Sequence, residues 1–569
     1  MDPYRLGVRE PGAAQHPEGG LHGLDLVRPA GHPVGAEHRR LLPGFQDAHV
    51  HPLPAGLELT QCDLTGTKTA EDTVAAVRAY ALAHPEREWI TGGGWSMEAF
   101  EGGTPTRESL DAVVPDRPVY LPNRDHHGAW VNSRALELAG VTRDTPDPAD
   151  GRFERDASGE PTGMLQEGAM EYVGRLTPPV TAAERLAALL SAQRRLHSLG
   201  VTAWQDALVG SFLGMEDPSG TYLAAALDGS LTARVVGALW WDRERGAEQI
   251  PELVERRAAL SVGRFRAGSV KLMLDGVAET GTAALLDPYL DKCGCATANR
   301  GTSFVDAAEL PKYVTQLDAL NFQCHFHALG DRAVRDALDA VEAARAANGP
   351  SDTRHHLAHL QVVHPDDVPR FARLGAVANI QALWAVHEPQ MDDLTIPFLG
   401  PERAAWQYPF GALLRSGVTL AAGSDWPVSS PDPLQAIHVA VNRTAPGSPS
   451  SPVFLPAERI GLTDALTAYT AGSAYANHLD DTGSVRAGAL ADLTVLDRDP
   501  YAGPREAIAE TKVVLTYVGG ERVCAADGAA EPFRSQKRSR APIPGQLSMY
   551  AGHLSMMDRW PEAAFSSLT

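Results

Sequence analysis

The sequence has no apolar run of the roughly eighteen residues needed to cross a bilayer as a helix, so no membrane span is expected. Only 5 cysteines occur in 569 residues, too few for a disulfide framework, and a reducing cytoplasm is the expected compartment. The opening MDPYRLGVREPG lacks the apolar centre of a signal peptide, and none follows the paired Arg39-Arg40. Basic residues are scarce too. Lys and Arg number 50 against 71 Asp and Glu, a formal net charge of −21. Such a surface repels phosphate backbones and anionic lipid, which argues against nucleic-acid and membrane partners and leaves a small molecule. What is present is the 44% hydrophobic, 21% charged composition of a well-cored globular chain. Its length is too great for one ordinary domain unless that domain is a large α/β barrel with additions.

Residues 1–40 carry neither a two-residue nor a 3.6-residue apolar period and read as irregular. From Leu41, where LLPGFQDAHVHP begins, short β-like runs alternate with helical patterns. The stretch 182–199 spaces Leu186, Leu189, Leu190, Leu196 and Leu199 helically and stops at Gly200. Expected strands are VTAW (201–204), SVKLML (269–274), FQCHFH (322–327), HLAHLQ (356–361), GAVANIQ (375–381) and VTLAAG (418–423), with a helix over 331–346. This alternation predicts parallel β with crossover helices, as a barrel or a doubly wound sheet. LTDALTAYTAGSAYA (462–476) reads as helix, and 483–500 and 512–524 as strands of a small second β domain. No internal repeat is visible.

His49 and His51 flank Val50, and in a strand residues two apart share a face, so both imidazoles project together. Imidazole is the commonest nitrogen ligand for zinc-like metals, although one such pair is only half a site. Lys271 lies within the apolar SVKLMLDG, where a lysine is costly unless paired. His327, His359 and Asp425 also stand at the ends of strand-like runs. Taken singly, each reads as a satisfied core or capping residue. In a (β/α) barrel, however, successive strand ends meet at one mouth.

PGFQDAHVH, VKLMLDG, HALGD, RHHLAHLQ, GSDWP and ADLTVLDRDP, in this order, resemble the amidohydrolase superfamily. Within it the chain looks most similar to the amidohydrolase-3 group of YtcJ-like proteins and N-substituted formamide deformylase, from about Leu41 to Cys524. DHHGAWVNSRALELAGV (125–141) also matches that group. The resemblance implies a (β/α)8 TIM-type barrel over 42–480, following an irregular segment 1–41. A small β-sandwich-like domain over 481–530 and a tail 531–569 complete the chain. It implies one or two divalent ions, most often zinc, with His49 and His51 on the more buried ion and His327 and His359 on the second. Lys271 would bridge them as a CO2-derived carbamate, and Asp425 would touch a metal and shuttle a proton. The implied activity is cleavage of a non-peptide amide-type C–N bond, in an N-formyl or N-acyl amine, by a metal-activated hydroxide. Trp95, Trp130, Asn132 and Trp426 match positions near the substrate, with core packing the alternative for each tryptophan. His127 would orient the substrate or polarise its carbonyl beside His126.

Three further readings stay beside these. A deaminase or cyclic-amide hydrolase of the same superfamily, or a regulatory barrel without catalysis, would share the fold, and homo-oligomerisation is open. Cys293 and Cys295 form a CxC pair with no second pair to complete a zinc site. Asp275, Glu167 and Asp331 read as caps or strand-end supports. The family normally begins with several β-strands that residues 1–40 do not show, so the C-terminal strands are expected to expose an edge.

Overall fold

The computed structural model describes residues 39–526 apart from 213–215 and 449; most of the expected irregular segment and the expected tail lie outside the described residues. The strands are, in chain order, β1 (Arg40–Pro43) and β2 (Phe45–Val50), then β3 (Cys62–Asp63), β4 (Ile90–Gly93), β5 (Val119–Pro122), β6 (Gly128–Val131), β7 (Gly151–Arg155) and β8 (Pro161–Glu167). There follow β9 (Val201–Val209), β10 (Arg234–Trp240), β11 (Phe265–Met273), β12 (Gln323–Ala328), β13 (His356–His359), β14 (Val377–Ile380) and β15 (Leu420–Ala422). The last are β16 (Leu493–Leu496), β17 (Val513–Val518) and β18 (Glu521–Ala525).

Eight parallel strands, β2 and β9 to β15, form a sheet in the order β15-β14-β13-β12-β11-β10-β9-β2. Its two ends meet just beyond the paired strands. Asp425 N donates to His49 O at 2.8 Å and His51 N to Trp426 O at 2.9 Å. A TIM-like barrel results. Gly423 permits this closure, because a Cβ there would come within 2.6 Å of the His49 side chain. Most barrel strands are buried throughout, as expected for parallel strands covered by helices on the outside and side chains within. The helix Ala182–Ser198 starts at a capping box, with Thr181 and Glu184 bonding each other's backbone N–H.

Between β2 and β9 the chain leaves the barrel and builds a separate six-stranded mixed sheet, β3-β4-β5-β6-β8-β7. This sheet was not foreseen within a barrel drawn as running over 42–480. Strands β3 to β6 have four residues or fewer and carry little of the two-residue period by which strands are recognised, and β7, GRFER, holds one apolar side chain. The small β domain is a four-stranded antiparallel sheet, β1-β16-β17-β18. The exposed edge expected of the C-terminal strands is covered on one side, because β1 pairs with β16 in the register Leu41↔Val495. Thr494 and Thr516 donate hydroxyl hydrogen bonds to Gly200 O and His197 O, tying this sheet to the foot of the barrel. No described helix is long and apolar enough to cross a membrane.

Candidate metal centre

The barrel brings the six expected ligands to one mouth. His49 lies near the end of β2 with His51 just beyond it, Lys271 and His327 lie in β11 and β12, and His359 ends β13. Asp425 follows β15. All six line one cavity of about 80 Å3, together with Asp125, His126 and His127. Asp425 Oδ1 stands 3.2 Å from His49 Nε2 and 3.1 Å from His51 Nε2, and Oδ2 stands 3.8 Å from His359 Nδ1. The rings of His327 and His359 are 4.4 Å apart. His359 and Asp425 hold left-handed backbone, φ +79° and +56°, which few non-glycine residues adopt outside constrained sites. The Asp47 carboxylate ties the closing strands together, accepting from both His49 N and Ser424 N.

These groups fit divalent metal ions. Nδ1 of His327, both ring nitrogens of His359 and Oδ1 of Asp425 are buried without a hydrogen-bond partner, which is costly unless something else satisfies them. His49, His359 and Asp425 each offer one atom within 4.8 Å of the others. Burial holds the His49 imidazole down at about 3, and those of His327 and His359 well below their ordinary value, so all three present neutral nitrogens. Asp425 is pulled both ways: burial raises its carboxyl, whereas positive charge on the adjoining His49, His51 or His359 lowers it well below the usual carboxylate range. Lys271 is only 4% exposed and forms no ion pair among the described residues; Nζ lies 3.4 Å from His49 Nε2. Burial pulls its amine down to about 7, so a large share is uncharged near neutral pH.

Behind the metal-facing atoms runs a buried chain that the sequence reading did not single out. Asn379 Nδ2 donates to the carbonyl of Ala48 at 2.9 Å and to His356 Nδ1 at 3.1 Å. His356 Nε2 and His325 Nδ1 lie 3.0 and 2.5 Å from Gln205 Oε1, and His325 Nε2 lies 2.8 Å from His49 Nδ1. Burial keeps His325 and His356 neutral. A backbone carbonyl only accepts, so the chain has one consistent proton assignment. His356 donates from Nε2, His325 donates from Nδ1, and His49 donates from Nδ1 to His325. The Nε2 lone pair of His49 is thereby left facing the cavity. His325 stands two residues before His327, the same spacing that put His49 and His51 on one face, and that signal could have found it; His356 stands three before His359, a spacing that does not mark a shared strand face.

His127 reaches the same cavity. Its Nδ1 lies 3.0 Å from the Glu167 carboxylate, and its ring centroid 5.4 Å from that of His327. Burial opposes its charge, but Glu167, with Asp125 and Asp425 beyond, holds the imidazolium up at about 9. Glu167 is more than a strand-end support, since it anchors this ring. Asp275 and Asp331 do act as supports: Asp275 accepts from Ala284, Leu329 and Gly330 N, and Asp331 from Leu286 N. Asp275 also lies 3.4 Å from His327 Nδ1. His126 pairs instead with Glu58 at 3.1 Å.

Three residues expected near the substrate are not brought there. Trp95 and Trp130 are wholly buried in the core of the six-stranded sheet, with indole N–H groups committed to Leu121 O and Thr106 O. Asn132 caps the helix Ser133–Ala139. Its amide donates to Val114 O and Arg117 O and accepts from Val119 N and Ala135 N, so no polar capacity is left for a ligand. These three support the fold and line neither described cavity. Trp426 lines a second cavity next to the first. So does Trp384, which the sequence reading missed and which stacks on His359 at 5.4 Å between centroids. Cys293 and Cys295 are free and exposed.

Residues 34–524 match the profile of the amidohydrolase family. The chain is 33% identical to Protein LONG AFTER FAR-RED 3 of Arabidopsis thaliana, covering 86% of this chain and 83% of that protein. It is 27% identical to the N-substituted formamide deformylase of Arthrobacter pascens, covering 85% and 88%. A crystal structure of a metal-dependent hydrolase from Pyrococcus furiosus superimposes with a TM-score of 0.59 at 28% identity, covering 82% of this chain and 88% of that one. A parallel barrel, a mouth lined with unsatisfied metal-ligating atoms and a family match over most of the chain converge, and the chain belongs to the amidohydrolase family.

Proposed function

We propose that the protein hydrolyses a non-peptide amide-type C–N bond, with N-formyl and N-acyl amines as the substrate class. The observation that carries this reading is the meeting of Asp425 with His49, His51 and His359 in one cavity that His127 also enters. The similarity to an N-substituted formamide deformylase supports the choice of bond. His49 and His51 would hold one ion, His327 and His359 a second, and zinc suits this nitrogen-rich set. Bound divalent metal supplies Lewis acidity towards a carbonyl and lowers the pKa of water towards neutrality. Lys271 would bridge the pair as a carbamate: Nζ bonds to the carbon of CO2 and releases a proton, turning a buried amine into an anionic oxygen ligand. Its lowered basicity makes the free amine available for that step.

The chain's own residues handle protons and orientation. Asp425, ionised and central, accepts the proton of the attacking water and returns it to the leaving nitrogen. His127, fixed by Glu167, directs its other ring nitrogen as a donor to the substrate's carbonyl oxygen. A bridging lysine disfavours the one-metal deaminase layout. Metal analysis of the purified protein, followed by a screen of N-formyl and N-acyl amines, tests the reading. Metal-replete protein inactive on the whole panel would favour the regulatory barrel instead.

A further inference from the structure

Next to the metal-facing cavity lies a larger one of about 410 Å3. The two share Asp125, Pro427 and Val428 in their linings, so a molecule seated at the ligands extends naturally into the second space. Trp384, whose ring stacks on His359, forms another part of this wall along with Tyr408 and Trp426.

The ionisable lining is unbalanced. Asp125 already faces the His127 imidazolium in the first cavity, and the two remaining carboxylates, Glu279 and Glu388, have one cation in this lining, Arg124. Arg124 is already engaged: it donates to Gln390 Oε1 at 2.8 Å and stands 3.7 Å from Glu98 and 3.9 Å from Glu388. Among the described residues Glu279 has no cationic partner within ion-pair distance and accepts from neutral side chains, Gln361 Nε2 at 3.2 Å and Thr395 Oγ1 at 3.0 Å. Burial pushes the Glu279 and Glu388 carboxyls up, as expected for acids short of counter-charge.

A second observation points to the same ligand. Gln361, only 1% exposed, lines this cavity, and its Oε1 is buried with no partner. In the structure Gln361 donates through Nε2 to Glu279 Oε1, which leaves Oε1 as the atom without a partner. The unmet atom is therefore an acceptor. The cavity offers carboxylates, an idle amide oxygen and aromatic faces, and its one donor-rich side chain is already bound. Its complement is an N–H-bearing organic cation, which charge-assisted hydrogen bonds and aromatic faces both favour.

We propose that this second cavity is a subsite for a cationic substituent of the substrate, an alkylammonium or guanidinium group carried on the amide being cleaved. The inference rests on the amide-hydrolase reading for what lies at the ligands, but the cavity's preference for charge can be measured without turnover. The probes are 4-phenylbutylguanidinium and the neutral 5-phenylpentan-1-ol, neither of which contains a hydrolysable amide. They are titrated calorimetrically into the metal-loaded protein and into a variant carrying Glu279→Gln and Glu388→Gln. The cation is expected to bind at least about ten-fold more tightly than the alcohol. The double variant should lose that preference while its affinity for the alcohol, which reports an intact cavity, stays unchanged. Equal affinities in the native protein, tighter binding of the alcohol, or a preference that survives both substitutions would overturn the subsite. If amides are hydrolysed but no charge preference exists, only the subsite fails; if the preference exists and no amide is cleaved, only the proposed reaction fails.

Discussion

Replacing His325 with Phe tests whether the buried chain behind the metal centre sets the state of His49. Phenylalanine keeps a ring of similar size in a wholly buried position and removes both nitrogens. His49 Nδ1 then loses its partner at 2.8 Å, and Gln205 Oε1 keeps only His356. With Nδ1 unanchored, His49 is free to rotate or to carry its proton on Nε2, the atom that faces the metal. Loss of a hydrogen bond that orients a metal ligand weakens metal binding about 10- to 100-fold. That corresponds to about 1.4–2.7 kcal/mol, within the range of about 1–3 kcal/mol for leaving one buried donor unsatisfied. The assay is zinc competition against a fluorescent chelator, with circular dichroism confirming that the variant is folded. His325→Gln, whose amide oxygen can accept from Nδ1, should recover part of the affinity. Folded His325→Phe that binds zinc within about two-fold of the native protein would refute the assignment.

Asp425→Asn should retain metal yet lower turnover by about two to four orders of magnitude, read by steady-state rates at matched metal load. Asn132→Leu should lower the thermal midpoint without changing KM, because it leaves the backbone groups of Val114, Arg117, Val119 and Ala135 short of a partner; at about 1 kcal/mol or more for each, the loss is several kcal/mol. Asp318 is buried among Arg345, Asn348, Ser351, Thr353 and His355. Burial opposes its carboxylate, but hydrogen bonds from His355, Asn348, Ser351 and Thr353 hold it below the usual range. Its stabilisation is therefore present above the unfolded-state value of about 3.9 and disappears as pH falls through the folded one. Denaturant melts of Asp318→Asn should show a loss of about 3–5 kcal/mol at pH 7 that shrinks below about pH 4, and a loss independent of pH would contradict this.

The strands that carry ligands were legible because each sets lysine or histidine among apolar residues, Lys271 within SVKLML, His325 and His327 within FQCHFH, and His356 and His359 within HLAHLQ. SVKLML, FQCHFH and HLAHLQ became β11, β12 and β13 within a few residues. β10, RVVGALW, holds no ionisable residue past Arg234 and drew no notice, although it is equally buried. In the six-stranded sheet β3 to β6 escaped because each has four residues or fewer, and β7 and β8 because GRFER and PTGMLQE show no alternation of apolar and polar residues. Among candidate site residues, those named for chemistry at strand ends reached the mouth. Trp95, Trp130 and Asn132 were named from a matching stretch of sequence alone, and such a match cannot separate a residue that touches a ligand from one that holds the neighbouring backbone. The pairings of His325 with His49 and of Glu167 with His127 span 276 and 40 residues, and only the closed barrel and its inserted sheet bring them together.

The central claim is that six residues at the barrel mouth hold a two-metal centre bridged by Lys271. The most direct test is metal per chain after reconstitution of stripped protein with zinc, with and without bicarbonate, for the native chain and Lys271→Arg. A guanidinium stays cationic and cannot take up CO2. The account predicts close to two ions per native chain with bicarbonate, fewer without it, and no response to bicarbonate in the arginine variant. One ion per chain in every condition, or two in Lys271→Arg, would contradict it.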